Sequence, residues 1–165
     1  MGSEMCIRDR LGRHISSGML QELTLTTNGS LLAKYAHRLF AFGVRRINVS
    51  LDTLDEAKFK SVTRWGSLQD VLDGLAEAKR AGLEIKINAV ALKGTNDYEL
   101  DKMVSWSGDN QFDLTIIETM PMGEIDFDRN DQFLPLTLVR EDLERNWTLE
   151  ETDFRTGGPA RYVTC

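Results

Sequence analysis

The chain has 165 residues, of which 41 % are apolar and 28 % are charged, and its formal net charge is −6. This length and composition indicate one globular domain with a hydrophobic core, and the acidic balance disfavours a nucleic-acid-binding protein, which requires a basic face. No apolar run approaches the about 20 residues that a membrane span requires, and the first residues lack the apolar segment of a signal peptide, so we expect a cytoplasmic protein without membrane contact.

Residues 1–10 show no periodicity and do not lead into the segment that follows them. We therefore predict a leader or scar at residues 1–10 and a single domain at residues 11–165. The first segment carries Cys6, and the only other cysteine is Cys165. Because neither cysteine lies in a C-x-x-C motif, the sequence excludes a disulfide framework and disfavours a zinc site.

The first predicted unit joins a strand at residues 22–28 to a helix. The strand residues alternate in character, and Asn28-Gly29 is typical of a turn, which fits either a hairpin or the start of a helix. Apolar residues at helical spacing follow this turn, and Gly43 is placed to end their helix in a left-handed conformation. A strand followed by a helix is therefore the preferred interpretation.

The next predicted strands lie at residues 46–51 and 84–92. Between them, residues 53–56 form a capping-box pattern for a short helix, and Ser67 is placed to begin a longer helix. Gly82 is predicted to end this longer helix in the same way as Gly43 ends the earlier one.

The downstream sequence continues the pattern less regularly. Asn96 is predicted to cap a helix, and residues 112–118 are predicted to form the fourth strand. Residues 119–135 are predicted to form a long loop and residues 137–146 a further helix. A Gly-Gly-Pro turn precedes the start of another strand at the end of the chain.

Repetition of strand and helix predicts a parallel sheet with helices packed on it. The spacing between Gly43 and Gly82 gives a repeat of about 39 residues, so the chain holds about four β/α units. A closed eight-stranded barrel needs about 250 residues, which leaves an open sheet or part of a larger barrel. Polar clusters follow the four strands, and we expect them to meet at the carboxyl ends of the strands, where such folds bind ligands.

Several residues in these clusters have both a binding and a structural interpretation. The hydroxyl groups of Thr26 and Thr27 can bind a phosphate, a ribose or a base edge, but they also suit a turn capped by Asn28. Ser50 and Asp52 lie on the same side of their strand as the preceding Asn48, and such polar groups need partners or a ligand. Alternatively, Asp52 caps the following helix.

Lys86 and Met120 also allow two interpretations. Lys86 lies between two isoleucines, so a buried Lys86 predicts a phosphate or carboxylate partner, or a Schiff base. The alternative is an edge-strand lysine that faces water. Met120 can pack against a flat ring of a ligand or fill the core. The acidic residues at 124–131 lack the spacing of a calcium loop and indicate a solvated segment.

Five stretches of the chain resemble the GTP 3',8-cyclases, a radical S-adenosylmethionine (SAM) family of molybdenum cofactor biosynthesis. They occur in the order of that family, and the resemblance covers about residues 11–165. The stretches are Leu-Thr-Thr-Asn-Gly (25–29), Ile-Asn-Val-Ser-Leu-Asp-Thr-Leu-Asp (47–55), Lys-Ile-Asn-Ala-Val (86–90), Ile-Glu-Thr-Met-Pro-Met-Gly-Glu (117–124) and Gly-Gly-Pro-Ala-Arg-Tyr (157–162).

The resemblance implies an α/β fold, namely a partial barrel of the radical SAM type with about four β/α units, open at both ends. It implies that Thr26 and Lys86 contact GTP and that Ser50 and Met120 contact SAM. It also implies two iron–sulfur clusters of the 4Fe-4S type. The family's reaction converts GTP into the cyclised pterin precursor 3',8-cyclo-7,8-dihydroguanosine triphosphate by radical chemistry that starts from SAM.

The chain departs from the family in the segments that hold metal. The family's N-terminal C-x-x-x-C-x-x-C motif, its Gly-Gly-Glu-Pro segment and a later set of three cysteines are missing here, and Thr115 stands where many members have an arginine. Because such clusters need thiolate ligands, we expect a central fragment without cluster ligands, inactive alone and at most weakly ligand-binding. Two other interpretations are another radical SAM or lysine-dependent barrel enzyme that uses Lys86, and a non-catalytic nucleotide-binding module.

Overall fold

The computed structural model describes residues 11–15, 17–64, 66–119, 132–154 and 160–165. Its centre is a four-stranded parallel sheet in which the strands follow one another in chain order. This arrangement confirms the predicted parallel α/β fold and excludes a hairpin after the first strand. The strands are β1 (Thr24–Thr27), β2 (Arg46–Ser50), β3 (Glu84–Ala91) and β4 (Asp113–Glu118).

Helices connect the strands, as the sequence predicts. A short 3-10 turn, Asp97–Glu99, precedes the helix that leads into β4. Two short strands, β5 (Glu150–Glu151) and β6 (Val163–Thr164), pair antiparallel after the last helix. The helices are α1 (Leu32–Ala41), α2 (Glu56–Thr63), α3 (Leu68–Arg80), α4 (Leu100–Asp109) and α5 (Leu136–Leu143).

Burial along β3 shows which face of the sheet the helices cover. Ile85, Ile87, Ala89 and Ala91 are buried and pack with the apolar residues of α1, α3 and α4 in one core. The alternate residues of β3, from Glu84 to Val90, are exposed or half-buried. The described helices therefore cover one face of the sheet, the outer face, and leave the opposite, inner face without a helix among the described residues, which is the layout of part of a β/α barrel.

Glycines allow α3 to lie close to the turn that follows β1. Gly29 in this turn has a φ of 79° and is buried beside Val49 and Val71. A Cβ placed on Gly74 of α3 would lie 2.9 Å from the carbonyl oxygen of Gly29. A side chain at either position would therefore force the helix and the turn apart.

Three predicted helix boundaries are confirmed. Ser67 is the N-cap of α3, and its hydroxyl accepts a hydrogen bond from the N–H of Asp70 at 3.3 Å. Gly43 and Gly82 follow α1 and α3 with φ angles of 92° and 86°. These are the left-handed conformations that the sequence predicts for residues ending a helix.

One predicted cap is wrong, and a second is right in position but lacks the capping hydrogen bond. The N-cap of α2 is Asp55, whose carboxylate accepts from the N–H of Lys58, and not Thr53, whose hydroxyl donates to Glu99. Asn96 precedes the 3-10 turn but makes no side-chain capping bond there. In both cases a partner more than 40 residues away in the sequence takes the side chain that local spacing assigns to a helix end.

Some sequence predictions concern residues outside the described ones. They are the leader at residues 1–10, Met120, the greater part of the loop at 119–135 with its acidic residues, and the Gly-Gly-Pro turn. Among the helices that the structure describes, none is both long and apolar enough to cross a membrane.

Candidate functional site

The register of the sheet aligns polar side chains in rows across its inner face. Thr26 pairs with Asn48, Asn48 with Lys86, and Lys86 with Asp113. One row further toward the carboxyl ends, Ser50 pairs with Asn88 and Asn88 with Thr115. Partners in a parallel register point to the same face, so the two rows form one polar surface. This surface includes Thr115.

Three of the four predicted ligand-contacting residues therefore lie on one surface. Neighbouring strands are about 4.8 Å apart, which places Thr26 about 10 Å from Lys86 along the row. Ser50 lies one strand across and two residues along from Lys86, at about 8 Å. The fourth residue, Met120, lies outside the described residues.

The polar side chains around Lys86 have no partners within the described part of the chain. Thr26 and Ser50 are exposed, whereas Asn48 and Asn88 are half-buried. No hydrogen bond joins any of these four side chains to another described residue. Polar groups in such a surface bind water or a ligand. We use the term inner face below for Thr26, Asn48, Ser50, Lys86 and Asn88.

Lys86 lies on an interior strand of the sheet and is half-buried. The edge-strand interpretation of this lysine is therefore wrong. Its Nζ donates a hydrogen bond to the Tyr162 hydroxyl at 3.1 Å and lies 4.8 Å from the centre of the Tyr162 ring. Phe154 packs edge-to-face against the same ring, with the two ring centres 4.9 Å apart.

The ammonium of Lys86 has no carboxylate partner among the described residues, since no described carboxylate oxygen lies within 4.0 Å of it. Arg46, one row below, is already paired with Glu22 at 3.1 Å. Asp113 is the register neighbour of Lys86 but forms no ion pair with it. Within the described part of the chain, no carboxylate therefore neutralises the charge of Lys86.

Sequence reasoning missed the contact between Lys86 and Tyr162. The two residues are 76 positions apart, and neither periodicity nor motif spacing connects them. In the sequence, Tyr162 is distinguished only as the last residue of the Gly-Gly-Pro-Ala-Arg-Tyr stretch. A long-range contact of this kind leaves no local signal.

Two neighbouring threonines at the end of β1 differ in the use of their hydroxyl groups. Thr27 Oγ1 accepts a hydrogen bond from the N–H of Gly29 at 3.1 Å, and Asn28 Oδ1 accepts one from the N–H of Ser30 at 3.2 Å. These two residues therefore stabilise the turn, as the structural interpretation predicts. Thr26, which points to the opposite side of β1 from Thr27, remains on the inner face.

The Asp52 carboxyl forms a hydrogen bond with the backbone of the neighbouring strand. It caps none of the described helices, and it is not a free group on the inner face. Its Oδ1 accepts a hydrogen bond from the N–H of Val90 at 2.8 Å. Burial raises the pKa of the Asp52 carboxyl above its ordinary value, and the hydrogen bond from Val90 partly opposes this rise. The carboxyl thus joins the end of β2 to the end of β3.

Asn96 connects the same two chain segments through its side-chain amide. It is fully buried, and its Nδ2 donates to the carbonyl oxygens of Asp52 at 2.6 Å and Val90 at 2.8 Å. Its Oδ1 accepts from the N–H of Leu92 at 2.8 Å. Each polar atom of this side chain is therefore hydrogen-bonded to backbone, which explains how a buried amide is tolerated.

Glu99 completes the connection with an ion pair. Its side chain accepts a hydrogen bond from the Thr53 hydroxyl at 2.6 Å and is paired with the ammonium of Lys58. Thr53 and Glu99 are buried, and Lys58 also lies 4.0 Å from the centre of the Tyr98 ring. We use the term paired rim for Asp52, Thr53, Lys58, Asn96 and Glu99.

The described residues do not fit an iron–sulfur cluster. Within them, no three or more His, Cys, Asp or Glu side chains are grouped so that they could hold a metal ion. Cys165 is free and exposed, whereas a 4Fe-4S cluster requires several thiolates. The hydroxyl and amide groups of the inner face suit polar groups of an organic ligand instead.

Comparison of the whole sequence with known proteins shows which proteins it is similar to. A family model described as the Radical SAM superfamily matches residues 4–107. A protein named GTP 3',8-cyclase from Agrobacterium fabrum is 58 % identical over 160 residues, which cover 97 % of this chain and 46 % of that protein. Proteins of the same name from Brucella ovis and Mesorhizobium japonicum are 59 % and 60 % identical over 154 residues. The chain thus spans about half the length of the curated relatives it matches.

Proposed function

The chain belongs to the radical SAM superfamily, and we propose that it supplies the strand-end surface of a GTP 3',8-cyclase that orients GTP and SAM. Its similarity to proteins of that name extends over 93–97 % of its residues. The observation that carries the proposal is the shared inner face of Thr26, Ser50 and Lys86, on which Thr26 and Ser50 lie at the carboxyl ends of β1 and β2. In β/α folds this edge of the sheet is where substrates bind.

We propose that GTP occupies the row that contains Thr26 and Lys86. The Lys86 ammonium has no described carboxylate partner, so it can form charge-assisted hydrogen bonds with phosphate oxygens. Thr26, about 10 Å away along the row, offers a hydroxyl group to another part of the same nucleotide. The half-buried Asn48 lies between them and presents both a donor and an acceptor.

We propose that SAM contacts the next row through Ser50, and also through Met120, which resemblance alone assigns. Ser50 ends β2 and its hydroxyl is exposed and without a described partner, so it is free to bind a polar group. Bound SAM would supply the radical chemistry that leads from GTP to the cyclised pterin precursor. The described residues of this chain bind and orient the two ligands in a cytoplasmic protein, and the isolated 165-residue polypeptide is catalytically inactive.

Calorimetric titration of the 165-residue chain with GTP tests the assignment of Lys86. Removing a charged hydrogen-bond donor by Lys86→Gln weakens GTP binding about tenfold or more. The matched control is Lys102→Gln, because Lys102 is an exposed lysine of α4 away from the inner face. Equal GTP affinities of the Lys86→Gln variant and the wild type would contradict the proposal.

Titration with SAM tests Ser50 separately. We expect Ser50→Ala to weaken SAM binding several-fold, about one hydrogen bond, and to leave GTP affinity unchanged. Ser105→Ala on the exposed side of α4 is the control. Loss of GTP affinity alone in Ser50→Ala would assign this hydroxyl to the nucleotide instead.

A different experiment tests the alternative of a lysine-dependent barrel enzyme. Trapping of a carbonyl compound on Lys86 by borohydride would favour that alternative.

A further inference from the structure

The contact between Lys86 and Tyr162 differs from the other lysine–aromatic contacts of the described residues. Lys58 lies over Tyr98 but is neutralised by Glu99, and Lys79 lies 5.9 Å from the Phe112 ring while donating to a backbone carbonyl. Lys86 contacts both the hydroxyl and the ring of its tyrosine, at 3.1 and 4.8 Å, and has no carboxylate partner among the described residues. The tyrosine therefore orients the ammonium, and no described carboxylate neutralises its charge.

The Tyr162 hydroxyl can orient the Lys86 ammonium without using all of its hydrogen-bond donors. An ammonium has three N–H donors, and Tyr162 accepts from one of them, which leaves two for an anion on the inner face. The flexible four-carbon stem of a lysine loses conformational entropy when it binds a ligand. A contact that already orders the stem lowers this loss.

Phe154 fixes the position of the tyrosine ring in turn. The ring planes of Phe154 and Tyr162 are inclined at 85°, and their centres are 4.9 Å apart, which is a favourable edge-to-face contact. Phe154 follows β5 and Tyr162 precedes β6, and these two strands pair with each other. The aromatic pair thus belongs to the segment that follows α5 and meets the sheet at Lys86.

We propose that Tyr162 is a positioning residue that orients the Lys86 ammonium toward an anionic oxygen of the ligand on the inner face. The identity of that ligand as GTP rests on the function proposed above. Tyr162→Phe keeps the ring and its contact with Phe154 but removes the accepting hydroxyl, and we expect GTP affinity to fall about threefold. Tyr162→Leu removes both contacts, and we expect a fall of about tenfold.

A double-mutant cycle distinguishes positioning of Lys86 from a general structural effect. If Tyr162 acts through Lys86, the double variant Lys86→Gln/Tyr162→Phe binds GTP no more weakly than Lys86→Gln alone. Additive losses in the double variant would overturn the proposal. Tyr35→Phe is the matched control, because Tyr35 belongs to α1 on the helix-covered side and lies 5.4 Å from the ammonium of Lys34.

A measurement without nucleotide separates this proposal from the function on which it rests. Limited acetylation with N-hydroxysuccinimidyl acetate, followed by mass spectrometry, gives the reactivity of Lys86 relative to Lys34. We expect the ratio to rise at least about threefold in Tyr162→Phe and further in Tyr162→Leu, because the amine loses the contact that orders it. An unchanged ratio in both variants would overturn the proposal even if GTP binds.

The remaining outcomes are also distinct. If the acetylation ratio rises but GTP gives the wild type no protection at Lys86, the positioning contact is supported and GTP is the wrong ligand. Titration with inorganic tripolyphosphate then measures whether the oriented ammonium binds phosphate oxygens. If both GTP and tripolyphosphate protect Lys86 in the wild type and protect it less in Tyr162→Phe, the positioning role and the phosphate assignment are both supported.

Discussion

The paired rim and the inner face meet near the end of β2, where Ser50 comes two residues before Asp52, yet their polar side chains are used in opposite ways. In the paired rim, Asn96 bonds to three backbone groups and Glu99 to two side chains. On the inner face, Asn48, Asn88 and Ser50 have no partner within the described residues. Residues of similar chemistry therefore hold the loops in one region and are left available to ligands in the other.

Removal of the Asn96 side chain gives the largest expected effect on the paired rim. Asn96→Ala leaves the buried carbonyls of Asp52 and Val90 and the N–H of Leu92 without their partner. We expect the free energy of unfolding to fall by about 3 kcal/mol, as measured by urea denaturation. A loss below about 1 kcal/mol would show that water replaces the amide and that the rim is not a buried connection.

The ion pair of the paired rim gives the next largest effect. Glu99→Gln removes the charge that faces Lys58 and weakens the acceptor of the Thr53 hydroxyl. Because Lys58 is partly exposed, we expect a loss of about 2 kcal/mol, between the values for surface and fully buried pairs. Urea denaturation of the two single variants, Glu99→Gln and Lys58→Met, and of the double variant checks this expectation. The double variant removes both charges together, so its loss of stability has to be smaller than the sum of the losses of the two single variants.

The titration of Asp52 gives a smaller, pH-dependent effect. Burial raises the pKa of Asp52 in the folded state, so the folded protein holds this proton more tightly than the unfolded chain does. The stability that Asp52 contributes is therefore complete below the ordinary carboxyl pKa and is lost as the pH rises through the raised pKa of the folded state.

The comparison with Asp52→Asn makes this sign measurable. Asparagine can still accept the hydrogen bond from Val90 but does not titrate. We expect the stability of Asp52→Asn relative to the wild type to increase with pH across the window above the ordinary carboxyl pKa and then to stay constant. Urea denaturation at a series of pH values checks this, and a relative stability that decreases with pH would show that the hydrogen bond from Val90 outweighs burial.

The inner face gives the smallest expected effect on stability. Asn88→Ala removes a half-buried amide that has no partner among the described residues, so we expect the free energy of unfolding to change by less than about 0.5 kcal/mol. Thermal and urea denaturation beside Asn96→Ala give a direct contrast between two asparagines. A loss as large as that of Asn96→Ala would mean that Asn88 is structural and that the distinction between the two regions is wrong.

The elements of the fold were predictable because their signals are local. Alternation, helical spacing, Ser67 as an N-cap and the glycines after α1 and α3 each act within a few residues, and the sheet confirms the parallel order they imply. The resemblance added candidate ligand residues, and Thr26, Ser50 and Lys86 do share one face. Their contacts with GTP and SAM stay predictions.

The paired rim was not predictable, because its side chains bond across long sequence separations. Thr53 meets Glu99 over 46 residues, and Asn96 meets the carbonyl of Asp52 over 44. Local spacing therefore assigned the side chains of Thr53 and Asn96 to capping hydrogen bonds, which they do not form. The buried tertiary partners outcompeted the caps, since an unpaired buried polar group costs more than an exposed helix end satisfied by water.

The close packing of Gly29 and Gly74 has a consequence for substitutions on the helix-covered side of the sheet. A methyl group on residue 74 would sit 2.9 Å from the carbonyl oxygen of residue 29, which belongs to the backbone and not to a flexible side chain. α3 therefore packs directly against the turn that follows β1, three residues after Thr26. A single added carbon at position 74 requires the helix or this turn to move, although it lies on the helix-covered side of the sheet.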